Sequence, residues 1–233
     1  MTRIFHEENN GMKFLSYHDN HGFYYPYIDS RIENMSKNGP FDDWLWEKYT
    51  TKNIFVKPTD TVIDCGSFIG SFSIASCYHN ANKVYAIEPS SKNFKSLLEN
   101  IKHHNFSEKI IPFQIGLGNK NTNLRLNLSE LTCENSFLKC DAGSTGEYEE
   151  VSVKTLSSFI DDNNIDCNNL YLKVEAEGFE PEVIYGLEDK MPRVIVVDVT
   201  EERNASSPRI EIEEHLVSFG YKFKRTPRCL FAY

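Results

Sequence analysis

The stretch VIDCGSFIG, residues 62–70, joins an acid and two glycines to the end of an apolar run. Gly66 and Gly70 follow Asp64, and Glu88 ends a second apolar run, VYAIE, 24 residues beyond Asp64. Glycine lets the backbone turn sharply and approach a ligand, and an acid at the end of the next strand can bind both hydroxyls of a ribose. This spacing predicts a nucleoside-binding turn.

From Thr61 onward, short apolar runs alternate with helical patterns. TVIDC, KVYAIE, KIIPFQI, EVSVKT, NLYLKVE and RVIVVDV are interpreted as strands, and helical patterns follow most of them. Continuously apolar strands regularly followed by helices are typical of a parallel sheet covered on both faces. We therefore predict an α/β fold with a doubly wound, mostly parallel sheet, in which Asp64 and Glu88 lie at one edge.

Two segments depart from this alternation. YKFKR and CLFAY at the C-terminus are joined by a short turn around Pro227 that leaves no room for a crossover helix, so they must form an antiparallel hairpin. Residues 119–150 are polar and loop-rich, and the piece NLRLNL within them is interpreted as an inserted edge strand.

Residues 1–55 are predicted to form an N-terminal lead, and residues 56–233 the main domain. FDDWLWEKYT has Trp44, Leu45 and Tyr49 at helical spacing, which predicts a short helix packed on the core. The aromatic residues of the lead could line a substrate pocket or close over it as a lid, although packing against the sheet is their commoner use.

Length, charge and cysteine content limit the function. The 233 residues, of which 40% are hydrophobic, fit one large domain without disulfides, and the net charge of −9 argues against a nucleic-acid partner. The six cysteines form no CxxC pair, which indicates free thiols in a reducing compartment and predicts a cytoplasmic protein. No stretch is long and apolar enough to span a bilayer, so we expect neither a membrane partner nor a targeting segment.

The turn also discriminates between two nucleoside cofactors. A dinucleotide-binding turn favours GxGxxG, whose middle glycine makes room for a pyrophosphate, whereas this chain has DxGxxxG with Phe68 in the middle. An acid before the turn repels phosphate and attracts a cation. The pattern therefore favours S-adenosylmethionine, whose ammonium Asp64 could bind directly or through water, over the nicotinamide cofactor of an oxidoreductase. An ordinary strand-to-helix turn with a capping acid is the remaining alternative.

Five stretches resemble, in order, the motifs of the FkbM family of S-adenosylmethionine-dependent methyltransferases. The match runs from Val56 to Tyr233 through VIDCGSFIGSFSI, VYAIEPSSKNFKSLLENIKHHN, IIPFQIGLGNKN, VSVKTLSSFI and YLKVEAEGFEPEVIYGL. Its most distinctive part is KVEAEGFE at 173–180. The chain departs from the family pattern at Phe68, where asparagine is usual, and at Glu175, where aspartate is usual.

The resemblance implies a Rossmann-like class I methyltransferase fold with a seven-stranded sheet that ends in the C-terminal antiparallel hairpin. It also implies transfer of a methyl group from S-adenosylmethionine to a hydroxyl oxygen of a small molecule or glycan. The predicted cofactor-binding residues are Asp64, Gly66, Ser67, Phe68, Gly70, Glu88, Pro89 and Gly116.

KVEAEGFE supplies the predicted catalytic residues. Strand alternation puts Lys173 and Glu175 on one face, with Glu177 just past the strand end. Glu175 is the first candidate to bind the acceptor hydroxyl or take its proton, Lys173 to set the charge of Glu175, and Glu177 to orient the loop or substrate. A structural ion pair is the alternative for the first two residues, and a helix N-terminal acid is the alternative for Glu177 and Glu180.

Other functions stay open at this point. A methyltransferase acting on a protein or RNA, and an inactive cofactor-binding protein of the same fold, are the principal alternatives. A Mg²⁺ ion held by Glu175 with Asp198 or Glu201 is a weaker possibility, which the resemblance does not require, and we predict no metal.

Overall fold

The computed structural model describes residues 5–9, 11–16, 22–36, 41–139, 143–202 and 206–233. The chain begins with an antiparallel sheet of three strands, β1 (Phe5–Asn9), β2 (Met12–Ser16) and β3 (Gly22–Tyr25). Helices α1 (Ser30–Ser36) and α2 (Phe41–Tyr49) follow it. The helix predicted from the spacing of Trp44, Leu45 and Tyr49 is therefore confirmed.

The remaining elements alternate as the apolar runs predict. In chain order they are β4 (Thr61–Cys65), α3 (Ser71–Tyr78), β5 (Lys83–Ile87), α4 (Ser91–His103), β6 (Ile110–Phe113), β7 (Gly116–Gly118), β8 (Thr122–Ser129), β9 (Ser144–Thr155), α5 (Leu156–Asp162), β10 (Leu170–Val174), α6 (Glu180–Tyr185), β11 (Val194–Asp198), α7 (Arg209–Val217), β12 (Phe223–Arg225) and β13 (Cys229–Ala232).

The main sheet has seven strands in the order β12-β13-β11-β10-β4-β5-β6. Strands β4, β5, β6, β10 and β11 are parallel, and β13 pairs antiparallel with both β11 and β12. The predicted mostly parallel sheet and its C-terminal hairpin are confirmed. Proline at position 112 lies in β6, an edge strand, where its missing N–H disrupts no central ladder.

The central strands of this sheet are buried on both sides because helices cover both of its faces. On one face, apolar side chains of α2, α3 and α4 pack with Val62 of β4; on the other, those of α5, α6 and α7 pack with Ile63. Every residue of β10 and β11 is buried. The packing of helices on both faces therefore holds these strands in place, and with them the polar residues that follow the strand ends.

The segment EVSVKT does not belong to the main sheet. It forms part of β9, which pairs parallel to β7 and antiparallel to β8 in a separate three-stranded sheet. Only alternate residues at this end of β9 are buried, Val151 and Val153 among them, so one of its faces is solvated, unlike a central parallel strand. NLRLNL lies in β8 at the edge of this small sheet, as predicted.

The N-terminal elements are attached to the main body by specific contacts. Tyr24 of β3 exchanges two hydrogen bonds with the side chain of Asn100 in α4, at 2.6 and 2.9 Å. Tyr49 of α2 is completely buried, and its carbonyl accepts a hydrogen bond from the hydroxyl of Tyr171 in β10. The division of the chain near residue 55 stays a prediction.

Five cysteines are described, all as free thiols, and Cys140 lies outside the described residues. Within the described ranges, no helix combines the length and apolarity that crossing a membrane requires.

Candidate active site

A cavity of about 270 Å³ opens at the carboxyl edge of the main sheet. Residues following β4, β5, β10 and β11 line it, and α2 contributes Trp44, Leu45 and Lys48 to its wall. Because β4 and β10 lie between β5 and β11, the cavity has a β5 end beside Glu88 and a β11 end beside Thr200.

The cavity brings together most of the residues that the sequence predicts. Its lining includes Gly66, Ser67, Phe68, Glu88, Pro89, Gly116, Lys173, Glu175 and Glu177, whereas Asp64 and Gly70 are not part of it.

The two glycines of the turn are required by contacts within the protein. Gly66 has φ +73°, and a Cβ there would overlap the carbonyl oxygen of Glu175. Gly70 has φ +90°, and a Cβ there would lie 2.5 Å from Leu97. A side chain at either position would therefore clash with another part of this chain, while Gly66 also lines the cavity, and contact of the two glycines with a cofactor stays a prediction. Phe68 adopts φ +52°, which is uncommon for a residue with a side chain.

Asp64 also differs from its predicted placement. Its side chain is completely buried, and it accepts a hydrogen bond from Ser73 at 2.6 Å and pairs with Lys173 at 3.0 Å. Lys173 in turn donates to the carbonyl oxygens of Cys65 and Gly66. Because Asp64 lies beneath the cavity wall, it does not reach a ligand directly; it holds the lysine that fixes the turn.

Glu88 connects the turn to the start of α4. One carboxylate oxygen accepts from the backbone N–H of Phe68 at 2.9 Å, and the other from the N–H of Ser90 and the amide of Asn93. Burial raises the pKa of Glu88 to about 7, although these hydrogen bonds and Lys173 oppose the shift. The carboxylate remains part of the cavity wall, where a ligand that donates hydrogen bonds can bind it.

Two further polar atoms at the β5 end fit such a ligand. Ser67 Oγ and Asn93 Oδ1 are buried, belong to residues of the cavity wall, and have no hydrogen-bond partner among the described residues. With the Glu88 carboxylate they form a set of hydrogen-bond acceptors. A nucleoside with ribose hydroxyls supplies the matching donors, so the residues present fit S-adenosylmethionine.

Glu175 lies between two lysines. Its Oε1 is 2.6 Å from Lys48 Nζ and its Oε2 is 3.4 Å from Lys173 Nζ. Burial would raise the pKa of Glu175, but the two ammonium groups outweigh burial and hold the pKa well below its usual range. Glu175 is thus a firmly ionised carboxylate and a weak base, which argues against its predicted part as a proton acceptor.

Lys48 also occupies the position that the magnesium hypothesis gives to a metal. Its Nζ lies 2.6 Å from both Glu175 Oε1 and Asp198 Oδ2. Glu201, the other ligand considered, is exposed. Among the described residues, no group of three or more His, Cys, Asp or Glu side chains is arranged to hold a metal ion.

The loop after β10 brings Glu177 to the cavity, and a second acid, Glu180, follows at the start of α6. Glu177 lines the cavity with φ +49°, and its carbonyl accepts from Ser136 at 2.7 Å. Glu180, the first residue of α6, accepts from the backbone N–H groups of Ala176 and Gly178, so it stabilises the turn before that helix. Burial, reinforced by the charge of Glu202, raises the pKa of Glu180 to about 8.

The β11 end contains Thr200 and Glu202, which are not among the residues predicted from the sequence, next to Asp198, which was considered only as a ligand for Mg²⁺. Asp198 ends β11, and its Oδ1 accepts from both the N–H and the hydroxyl of Thr200, at 3.0 and 2.8 Å. The Thr200 hydroxyl is also 2.6 Å from Glu202 Oε1. Lys48, which pairs with Asp198, comes from α2 in the N-terminal part of the chain. The acids directly after the apolar run RVIVVDV were the signal available for this end, but nothing in the sequence joins Lys48 to them.

A sequence model of the family described as the Methyltransferase FkbM domain matches residues 64–223. This span covers more than half of the chain and includes the turn, the strand ends and the cavity lining, except Arg31, the residues of α2 and Arg228. A search of curated proteins found no significant match.

Solved structures with similar folds include the Methyltransferase FkbM from Methylobacillus flagellatus KT, at 17% identity and a TM-score of 0.54 over 82% of this chain and 50% of that one. The M. jannaschii tRNA m1G37 methyltransferase matches at 14% identity and a TM-score of 0.48, over 97% of this chain and 54% of that one. The ribosomal protein L11 methylase from Lactobacillus delbrueckii subsp. bulgaricus matches at 15% identity and 0.43, over 78% and 71%. At 17% identity the first of these structures shows the fold alone, and this chain spans half of its length.

Proposed function

Since this chain belongs to the FkbM methyltransferase domain family, we propose that it transfers a methyl group from S-adenosylmethionine to a hydroxyl oxygen of a small molecule or glycan. The observation that carries the proposal is the single cavity wall that joins a set of hydrogen-bond acceptors at its β5 end to an ionised carboxylate and polar groups at its β11 end.

The β5 end is proposed to hold the cofactor. Glu88 accepts from the ribose hydroxyls, and Ser67 and Asn93 bind further polar atoms of the nucleoside. Bound S-adenosylmethionine supplies a methyl group already activated by its sulfonium. Lys173 keeps the turn in place by binding two of its carbonyl oxygens.

The β11 end is proposed to hold the methyl acceptor. Trp44 lines this end, where the guanidinium of Arg228 lies 5.7 Å and Lys48 Nζ 5.3 Å from the centre of its ring. Thr200 and Glu202 line the same end with polar groups. A cavity end that combines an aromatic ring with several hydrogen-bonding side chains suits a polyhydroxylated compound, which supports a small-molecule or glycan acceptor over a protein or RNA.

Glu175 is proposed to orient the acceptor rather than to take its proton. Its ionised carboxylate accepts a hydrogen bond from the reacting hydroxyl and so directs the oxygen towards the methyl group. Lys48 and Lys173 fix the position of this carboxylate.

The free thiols described above also support a reducing compartment, which we propose to be the cytoplasm.

The test combines cofactor binding with methyl transfer. Calorimetry should detect binding of S-adenosylmethionine but not NAD, and Glu88→Ala should weaken binding by about 1–3 kcal/mol. Glu108→Ala, at an exposed acid, is the matched control. S-adenosylmethionine with a labelled methyl group, incubated with a fractionated cell extract, should label hydroxyl oxygens of small molecules or glycans.

Label confined to protein or RNA would overturn the proposed acceptor class. Cofactor binding without any transfer, across extracts from several growth conditions, would favour the inactive cofactor-binding alternative.

A further inference from the structure

We propose that Glu202, and not Glu175, takes the proton of the acceptor hydroxyl. This inference rests on the proposed function, because it assigns the base for that same transfer. Glu202 lies at the β11 end of the cavity, where the acceptor is proposed to bind, and it directly contacts Thr200.

The first step of the argument removes Glu175 from the role. Both of its oxygens face ammonium groups, Oε1 that of Lys48 and Oε2 that of Lys173. Transfer of a proton to this carboxylate would replace two ion pairs with a neutral acid beside two buried cations. That change is unfavourable, so the proton must go to another group within reach of the hydroxyl.

Hydrogen-bond counting at Thr200 identifies that group. The Thr200 hydroxyl has one proton but lies 2.8 Å from Asp198 Oδ1 and 2.6 Å from Glu202 Oε1. It can donate to only one of these oxygens. Asp198 Oδ2 is paired with Lys48 Nζ, whereas the contact described for Glu202 is the neutral hydroxyl of Thr200. Among the described acids of this end, Glu202 is thus a cavity carboxylate held by a hydroxyl rather than by the ammonium group that pairs with Glu175 and Asp198.

The charges around Glu202 favour the same behaviour. Asp198 from β11, Glu175 after β10, and Glu177 and Glu180 from the loop and α6 all interact with it, whereas Lys48 from α2 is the cation that opposes them. Burial, together with Asp198 and Glu175, raises the pKa of Glu202 to about 7, although Thr200 and Lys48 oppose the shift. A carboxylate with a pKa near neutrality accepts a proton much more readily than Glu175.

The step balances as follows. The hydroxyl oxygen forms a bond to the methyl carbon while the carbon–sulfur bond breaks, and the electron pair of that bond stays on sulfur, which becomes a neutral thioether. The hydroxyl proton passes to the Glu202 carboxylate, which becomes a neutral acid hydrogen-bonded to Thr200. Release of this proton to solvent restores the carboxylate.

The experiment uses the unmethylated form of the compound that the labelling experiment identifies. It measures single-turnover methyl transfer to this acceptor from about pH 5 to about pH 9, together with cofactor affinity. In the wild type the rate should rise with pH and level off above the pKa of Glu202, because only the ionised form accepts a proton. Glu202→Gln should lower the plateau by about 10²–10⁴-fold without changing cofactor affinity. Glu201→Gln, an exposed neighbouring acid, should leave the profile unchanged.

Thr200→Val keeps the inference testable where Glu202→Gln fails to fold. Valine removes the hydroxyl whose hydrogen bond lowers the pKa of Glu202, so the rising limb should move to higher pH. If the wild type methylates a hydroxyl and Glu202→Gln retains the wild-type rate, the assignment of Glu202 is overturned but the proposed function is not. The same holds if the rising limb of the pH profile does not move in Thr200→Val. A wild type that methylates no hydroxyl compound would instead overturn the proposed function.

Discussion

Among single residues, the buried ion pair of Asp64 and Lys173 gives both of these predicted site residues a structural role. The sequence suggests that Lys173 belongs with the chemistry and Asp64 with the cofactor, because they lie on strands far apart in the chain. The strand order makes β4 and β10 neighbours, and Asp64 is the register partner of Lys173. One ion pair therefore supports both the cofactor turn and Glu175.

Lys173→Met should destabilise the fold and weaken cofactor binding together. It leaves the Asp64 carboxylate buried without its cation, and loss of one partner from a buried pair costs about 3–5 kcal/mol. The free energy of unfolding in urea and the S-adenosylmethionine affinity are the measurements. Lys224→Met, at an exposed lysine, is the control. Asp64→Asn combined with Lys173→Met should recover part of the loss, because the uncompensated charge is gone. A Lys173→Met variant as stable as the control would contradict this account.

Among the elements, α2 shows how a helix of the N-terminal lead completes the site. Leu45 and Tyr49 are buried in the core, and the same helix carries Lys48 to Glu175 and Asp198. Helical spacing fixes this arrangement, since Trp44 and Lys48 are one turn apart and both line the cavity. A movement of α2 relative to the sheet would therefore change the charge balance on both carboxylates.

Lys48→Met should raise the pKa of Glu175, because it removes the nearer of the two cations that lower it. Glu175 has a lower pKa in the folded protein than in the unfolded chain, where the pKa is about 4.3. Its ionisation therefore stabilises the folded state fully at pH values above about 4.3, and this stabilisation is lost as the pH falls towards the folded pKa. The variant should therefore lose less stability between about pH 4.5 and about pH 3 than the wild type, although it is less stable at neutral pH. Urea unfolding across this range is the measurement, and Lys52→Met, at an exposed lysine, is the control. Parallel stability curves for the variant and the wild type would contradict the expectation.

The order of elements was predictable, but contacts between distant elements were not. Continuously apolar runs such as RVIVVDV predict buried parallel strands, and a short turn before CLFAY predicts the hairpin. The prediction that EVSVKT belongs to the main sheet is wrong, because its alternation of apolar and polar residues indicates a half-solvated strand. Lys48 was missed because its partner Glu175 is 127 residues away, and no local pattern encodes that approach. The base strength of Glu175 depends on this contact and could not be judged from the sequence.

For the whole molecule, the buried acids of the cavity couple stability to pH. Burial raises the pKa of Glu88 and Glu202 to about 7 and that of Glu180 to about 8. Between about pH 4.3, the ordinary pKa of glutamate, and these raised pKa values, the three side chains are protonated in the folded protein but ionised in the unfolded chain. The folded state thus binds more protons than the unfolded state across this interval, so the free energy of unfolding must fall as pH rises. Burial lowers the pKa of His215, which acts in the opposite direction below about 6.5.

The wild type should therefore be more stable near pH 5.5 than near pH 8, with a slope of about 1.4 kcal/mol per pH unit for each proton by which the two states differ. Glu88→Gln combined with Glu202→Gln removes two of the groups responsible and should flatten the profile while keeping the size of both side chains. Glu108→Gln combined with Glu201→Gln alters two exposed acids and should leave it unchanged. Urea unfolding at a series of pH values measures the slope. Stability that rises with pH over this interval would mean that these acids are ionised in the folded protein, and the proton-accepting role of Glu202 would lose its electrostatic support.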